Sequence, residues 1–233
     1  MARLVVIVIN EKQHIPGIDV DVQVLDEFYT AQPRNFVIVG GQLDSDCASK
    51  RNLSVNGILG LFAKVDHMYH PATRLHGSEF ERVILHVFAP GNNEHVYVMN
   101  NKFEQKNNLL NRLVSQATNV GRQVPVVVCF HSSEPLPPGV ALPVGDDVQE
   151  ICHAPAVPNI LGYFTHQDRP AADVVAVETR GSWVLQEMIG QLRLYDVKEA
   201  FVCVALTAVR QGQSVQVIKD SGFKKLWLGD AGD

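Results

Sequence analysis

Short apolar segments, separated by polar and turn-rich stretches, recur along the whole chain. A continuous apolar run bounded by glycine, proline or asparagine is typical of a strand in a parallel sheet that is covered on both faces. The clearest case is Val126–Phe130, which follows a proline and precedes the polar run His131–Glu134. The pattern predicts strands at Leu4–Asn10, Asn35–Val39, Glu81–Ala89, Val126–Phe130, Asn159–Thr165 and Ser214–Asp220.

Between these strands, apolar residues recur at the three- to four-residue spacing of amphipathic helices. Asp19 is a candidate N-cap of the first helix, and a small hairpin is predicted at Asn92–Phe103. Helices are predicted at Val20–Tyr29, Asn52–Val65, Glu104–Ala117, Gly181–Tyr195 and Val197–Val209. This alternation predicts an α/β fold with a mainly parallel sheet and helices on both faces.

Composition narrows the class of protein. With 233 residues, 46% apolar and 19% charged, the chain is expected to fold around a sizeable core. The net charge of -5 and the lack of a dense basic cluster argue against nucleic-acid binding. No apolar run approaches the ~18 residues of a membrane span, and the four cysteines show no pairing pattern. These features predict a cytoplasmic protein without a cofactor.

One stretch, Pro135–Pro158, stands apart because it contains six prolines. Such a composition predicts an exposed linker within a single domain spanning 1–233. The linker, 135–158, separates a larger part, 1–134, from a smaller part, 159–233. Its Asp146-Asp147 pair is interpreted as a solvated acidic turn, with a proteolytic processing site as the alternative.

Five stretches, in order along the chain, resemble segments of the caspases. They are IDVDVQVLDEF at 18–28, RVILHVFAPGNNEHVYVMN at 82–100, PVVVCFHSSE at 125–134, GSWVLQEMIGQL at 181–192 and VQVIKDSGFKKLWL at 215–228. The proline-rich stretch falls where caspases have the linker between their two subunits. The resemblance implies a caspase-like three-layer α/β/α sandwich. Its sheet would have six mostly parallel strands, with the last strand antiparallel.

The resemblance also implies where catalytic residues should stand, and other residues stand there. The histidine of the family's S-H-G motif falls on Pro90, which has no ionisable group. The nucleophilic cysteine of Q-A-C-R-G falls on Ser133, or on Ser132 with a shifted gap. The separation of 43 residues (133 − 90) is close to the ~50 expected. These replacements predict a pseudoenzyme without a catalytic pair.

The pocket that caspases use for an aspartate side chain is also altered. Its first arginine falls on Ile15 and its glutamine falls on His131. Its second arginine falls on Ala176, within a loop that contains no arginine. The resemblance therefore implies no conventional recognition of aspartate.

Two sets of residues offer other chemistry. Cys129 could act as a displaced nucleophile with His131 as its base, although an apolar strand favours an inert thiol. His86 is interpreted as a core histidine. His67, His70 and His76 are interpreted as part of a surface connector, so no metal site is predicted.

The predicted function is that of a non-catalytic caspase homologue that regulates an active caspase by forming a heterodimer. The last strand would supply the partner-binding edge, with residues Ser214, Val215, Gln216, Val217, Ile218 and Lys219. Activation or stabilisation of the partner is preferred. The alternatives are a dominant-negative decoy, a residual cysteine-type endopeptidase that uses Cys129, and a homodimer with a scaffold role.

Overall fold

The computed structural model describes most of the predicted elements. The described residues are 2–10, 17–32, 36–40, 51–68, 80–91, 95–99, 102–119, 126–132, 152–153, 160–167, 180–210, 214–217 and 228. The strands are β1 (Ala2–Ile9), β2 (Phe36–Val39), β3 (Phe80–Ala89), β4 (His95–Val98), β5 (Lys102–Gln105), β6 (Val126–Ser132), β7 (Cys152–His153), β8 (Ile160–Gln167) and β9 (Ser214–Val217). The helices are α1 (Ile18–Thr30), α2 (Val55–Met68), α3 (Lys106–Asn119), α4 (Trp183–Leu192) and α5 (Val197–Arg210).

The main sheet has seven strands in the order β2-β1-β3-β6-β8-β9-β7. Strands β2, β1, β3, β6 and β8 run parallel to one another. Strand β9 runs antiparallel to β8, so the predicted orientation of the last strand is confirmed. The predicted count of six is wrong for the described sheet, because Cys152 and His153 of the proline-rich stretch pair with β9 as a short edge strand. The division into 1–134, 135–158 and 159–233 stays a prediction.

The sheet lies between two apolar clusters, and successive residues of each central strand alternate between them. Val127 and Cys129 of β6 pack on the side that holds α1, α4 and α5. Val128 and Phe130 pack on the side that holds α2 and α3. Every described residue of β6 is buried, as expected for a central parallel strand. This alternation sends the polar residues at the end of β6 to opposite faces.

The start of α1 differs from the prediction. Its N-cap is Gly17, with a left-handed φ of 76°, and no side chain caps the helix; Asp19 lies within the first turn. The neighbouring Asp21 has a structural role, because its Oδ1 accepts a hydrogen bond of 2.7 Å from the backbone N–H of Ser182. Gly181, with φ of 70°, permits this approach, since a Cβ there would lie 2.2 Å from that oxygen.

The hairpin and α3 also have different bounds from those predicted. Strands β4 and β5 form a separate antiparallel pair, with Val96 opposite Glu104. The helix therefore begins at Lys106, two residues after the predicted start at Glu104. The pairing of β5 with β4 outweighs the helical pattern at Glu104, an example of tertiary context overriding local propensity. As a result Lys106 lies at the junction of a strand and a helix.

The carboxyl ends of the parallel strands form one edge of the sheet, where ligands of open α/β folds usually bind. At this edge β3 and β6 lie side by side, with Phe88 opposite His131 and Ala89 opposite Ser132. On the other side of β6, His131 lies opposite His166 of β8. The fold thus places several polar residues at the end of β6.

Candidate active site

Three side chains that can carry chemistry lie together near the carboxyl ends of β3 and β6. His86 of β3 lies opposite Cys129 of β6, and His131 follows two residues later on the same face. One nitrogen of each histidine and the Cys129 sulfur all lie within 4.8 Å of one another. We call these three residues the His–Cys–His cluster. It brings a potential nucleophile next to two potential bases.

A chain of hydrogen bonds orients the two imidazole rings. The Tyr29 hydroxyl of α1 is 2.8 Å from His86 Nε2. His86 Nδ1 is in turn 3.0 Å from His131 Nε2. The His131 ring also stacks on Phe88, with the ring centres 4.4 Å apart. These contacts hold the His131 ring from two sides.

The tautomers of the two histidines decide whether His131 can accept a proton. If Tyr29 donates to His86, then His86 donates to His131 and occupies the lone pair on His131 Nε2. If the direction is reversed, each histidine donates through its Nε2, and Nδ1 is the unprotonated nitrogen of His131. The second arrangement leaves His131 able to accept a proton. In this arrangement the Tyr29 hydroxyl accepts the hydrogen bond from His86 Nε2, which is possible because a hydroxyl can accept as well as donate.

Burial keeps His86 and Cys129 uncharged at neutral pH. His86 is fully buried, Cys129 is 1% exposed and His131 is 4% exposed. Burial lowers the pKa of His86 to about 3 and raises the pKa of the Cys129 thiol well above its usual range. Burial, followed by the nearby Cys129, raises the pKa of Tyr29 as well. Tyr29, His86 and Cys129 are therefore neutral at rest, because desolvation penalises the charged state of each.

The cluster corrects the prediction that the chain is a pseudoenzyme without catalytic groups. A thiol beside imidazoles is the arrangement by which a cysteine nucleophile is activated, and these atoms lie within 4.8 Å. The prediction failed because it rested on the positions of the caspase motifs and treated Cys129, in its apolar strand, as an inert thiol. The strand register supplies a different thiol and different histidines on the neighbouring strands. His86, interpreted from the sequence as a core residue, is buried and also belongs to this group.

The same three residues are a possible set of metal ligands. Cysteine sulfur and histidine nitrogen are the ligands that zinc prefers in proteins, and the geometry brings three of them within 4.8 Å of one another. The ion would have to displace the hydrogen bond between the two histidines. Of the residues first considered for a metal, His70 and His76 lie outside the described part of the chain.

The positions expected from the caspase motifs are partly described. Pro90 is buried immediately after β3, and its carbonyl accepts a hydrogen bond from the Tyr97 N–H. Ser132 is the last residue of β6 and lies opposite Ala89, so the two motif positions are close in space. Ser133, Ile15 and Ala176 lie outside the described residues. His131, expected in the substrate pocket, lies instead in the His–Cys–His cluster.

The predicted partner-binding strand is only partly available. Ser214–Val217 form β9, and β8 pairs along all four residues. The short strand β7 covers Gln216 and Val217 on the other side, so β9 is not the edge strand that the sequence suggested. Ile218 and Lys219 lie outside the described residues. Partner binding at this strand stays a prediction.

The sequence pattern does not predict two residues of interest, Tyr29 and Lys106. Tyr29 is part of an amphipathic helix pattern, and its contact with His86 joins residues 57 positions apart. Lys106 belongs to a polar run, K-N-N, that reads as a solvent-exposed start of a helix, yet its side chain is 1% exposed. Neither residue has a local signal, because both acquire their role from strands distant in sequence.

Comparison with solved structures supports the fold. A structure of pro-Sf-caspase-1 has a TM-score of 0.54 and 13% sequence identity, covering 95% of this chain and 85% of that chain. The crystal structure of caspase-1 from Spodoptera frugiperda has a TM-score of 0.55 and 14% identity, covering 99% of this chain and 90% of that chain. No protein-family model and no curated protein matches the chain. The likeness establishes a caspase-like α/β fold with a mostly parallel central sheet.

Among the described residues, no helix is long and apolar enough to cross a membrane.

Proposed function

We propose that the chain is a caspase-related cysteine-type endopeptidase that uses Cys129 as its nucleophile. The observation that carries this proposal is the His–Cys–His cluster, in which the Cys129 sulfur and two imidazole nitrogens lie within 4.8 Å of one another. Its position near the carboxyl ends of two central parallel strands is where an α/β fold usually acts on its ligands. The caspase-like fold is consistent with this class of reaction, although fold alone does not establish it.

In the proposed reaction, the Cys129 proton moves to His131 as the sulfur attacks the carbonyl carbon of a peptide bond. Collapse of the tetrahedral intermediate breaks the C–N bond, and the leaving amine takes the proton from the imidazole. Water then hydrolyses the thioester and restores the thiol. His86 acts as a positioning residue, because its hydrogen bond to His131 Nε2 fixes that ring.

Burial sets a condition on this reaction. The buried thiol is neutral at rest, and a thiol of raised pKa is a poor nucleophile. We therefore propose that substrate binding opens the end of β6, so that attack and proton transfer occur together. Binding energy from the rest of the peptide would offset the cost of that opening. Unlike a caspase, the site would not select aspartate through the usual arginines, so the substrate preference has to be measured with an unbiased peptide set.

The test compares two cysteine variants of the full chain on a mixed peptide library with mass-spectrometric readout. Cys129→Ala is expected to abolish cleavage. Cys203→Ala, which removes the half-exposed thiol of α5, is the matched control and is expected to retain it. An electrophilic peptide ketone should form one adduct, on Cys129. A wild-type chain that cleaves no peptide and forms no adduct would overturn the proposal, as would a folded Cys129→Ala variant that still cleaves.

A second proposal concerns a partner. The register of β7 on β9 covers Gln216 and Val217 and, in the described part, does not extend to Ser214 and Val215. A caspase or a second copy of the chain would add a strand at this end of the sheet. Co-elution with purified caspases, together with a change in their rate of cleavage after aspartate, would support it. Elution as a monomer at every concentration and unchanged caspase activity would contradict it.

A further inference from the structure

A buried lysine and a buried serine meet on the opposite face of β6. Lys106 Nζ donates a hydrogen bond of 3.2 Å to Ser132 Oγ. The two side chains are each only 1% exposed. The amine also lies 5.2 Å from the centre of the Phe130 ring, two residues before Ser132 on the same face. A lysine is almost never buried without a structural or chemical reason.

Burial changes the chemistry of this amine. Desolvation lowers the pKa of Lys106 from its ordinary 10.5 to about 7, so a large share of the amine is neutral at physiological pH. A neutral amine has a lone pair and can accept a proton, whereas an ordinary surface lysine cannot. A base with a pKa near the working pH is the most effective proton acceptor.

The location favours chemistry over mere packing. Ser132 is the final residue of β6, at the sheet edge where ligands of α/β folds bind. Lys106 reaches it from the first residue of α3, a position set by the β4–β5 hairpin that precedes the helix. Side chains of Leu109 and Leu110 from the same helix are buried in the apolar cluster on this face. Lys106 and Ser132 are therefore buried beside an apolar cluster, where interactions with developing charge are stronger than in water.

We propose that Ser132 is a second nucleophile of this chain, with the Lys106 amine as its general base, and that it accepts short apolar acyl groups from esters. The pair is independent of the proposed endopeptidase, because it uses neither Cys129 nor the histidines and lies on the other face of β6. The apolar surroundings and near-complete burial favour a small acyl group such as acetyl over a long or charged one.

Acyl transfer from the ester and hydrolysis of the acyl-serine need no reactant other than water. The Ser132 Oγ–H proton moves to Lys106 Nζ while Oγ bonds to the ester carbonyl carbon, and the carbonyl electron pair moves to its oxygen. When that pair returns, the bond to the leaving alcohol breaks and the alcohol oxygen takes the proton from Nζ. Water repeats the sequence, releases the carboxylic acid and restores the hydroxyl.

The test uses p-nitrophenyl acetate on the full chain carrying Cys129→Ala, so that the cluster thiol does not contribute. A burst of nitrophenolate is expected, together with an acetyl group that peptide mass spectrometry locates on Ser132. Lys106→Met keeps a long side chain without a base, and is expected to slow this acetylation about 10²-fold or more. Ser132→Ala is expected to remove the adduct.

Controls separate loss of chemistry from loss of folding. Circular dichroism and the thermal midpoint establish that each variant is folded, and Lys106→Arg provides a second variant that retains a hydrogen-bond donor but cannot act as a base. Acetylation of Ser132 at the parent rate in a folded Lys106→Met or Lys106→Arg variant would overturn the proposal. So would acetylation of the parent at other residues with none on Ser132. Peptide cleavage that depends on Cys129 would be unaffected by either result, so the two proposals fail separately.

Discussion

The two faces of β6 carry different chemistry a few residues apart. On the α1, α4 and α5 side, Cys129 and His131 meet His86 of β3. On the α2 and α3 side, Ser132 meets Lys106. Each face pairs a candidate nucleophile with a nitrogen base, because successive side chains of a strand point in opposite directions. One strand end can thus supply two sites.

Burial acts on the two faces in opposite senses. It lowers the pKa of Lys106 to about 7 and so makes the amine a better base at neutral pH. On the other face it raises the pKa of the Cys129 thiol and so keeps the nucleophile protonated. In both cases desolvation favours the neutral form. Desolvation thus favours proton transfer to the Lys106 amine, whereas the proposed attack by Cys129 requires its surroundings to open first.

The largest expected effect is on stability, from loss of the hydrogen bonds of His86. His86→Leu leaves the Tyr29 hydroxyl and the facing His131 nitrogen without their partner. Each buried unsatisfied group costs about 1–3 kcal/mol, so the free energy of unfolding should fall by roughly 2–6 kcal/mol. Urea unfolding measures this. A double variant with Tyr29→Phe should lose less than the sum of the single changes; strict additivity would show that the contact is unimportant.

The next largest expected effect comes from Lys106, which should make the free energy of unfolding rise with pH. The pKa of Lys106 is about 7 in the fold and near 10.5 in the unfolded chain. Between these values the unfolded chain binds more protons, so stability rises with pH, by up to about 1.4 kcal/mol per unit. Unfolding of wild type and Lys106→Met from pH 7 to 8.5 isolates this contribution as a difference. Parallel curves would mean that Lys106 keeps its charge in the fold.

The free energy of unfolding should fall in acid because of His86. The pKa of His86 is about 3 in the fold, against an ordinary value of 6.5. The unfolded chain binds the proton first, so the contribution of the neutral ring is lost as the pH falls below 6.5 towards 3. Between pH 6.5 and 5.5 the loss is at most about 1.4 kcal/mol. His86→Phe should flatten this part of the curve, and an unchanged slope would contradict the assignment.

The smallest expected effect is a difference in thiol reactivity. Without substrate, iodoacetamide at pH 8 should modify the half-buried Cys203 before the buried Cys129, because the reactive species is the thiolate. Peptide mass spectrometry over time gives both rates. A Cys129 that reacts first in the free chain would show that the cysteine face is already open at rest.

The sequence alone determined the frame of this protein. Apolar runs such as Val126–Phe130 predicted central strands, and the order of strands and helices predicted a mainly parallel sheet. The antiparallel last strand was implied by the resemblance to caspases. The stretches at 18–28 and 181–192 pointed to a caspase-like fold, which two solved structures support. These features are readable because periodicity and chain order act locally.

Only the tertiary structure decided which side chains share a site. Motif positions led to Pro90 and Ser133 and to a chain without catalytic groups. The register of β3 on β6 instead places His86 opposite Cys129. The fold also buries Lys106, which lies in the first turn of the predicted helix Glu104–Ala117, against Ser132. Such pairings join residues tens of positions apart, and desolvation, which sets their proton affinities, depends on everything packed around them.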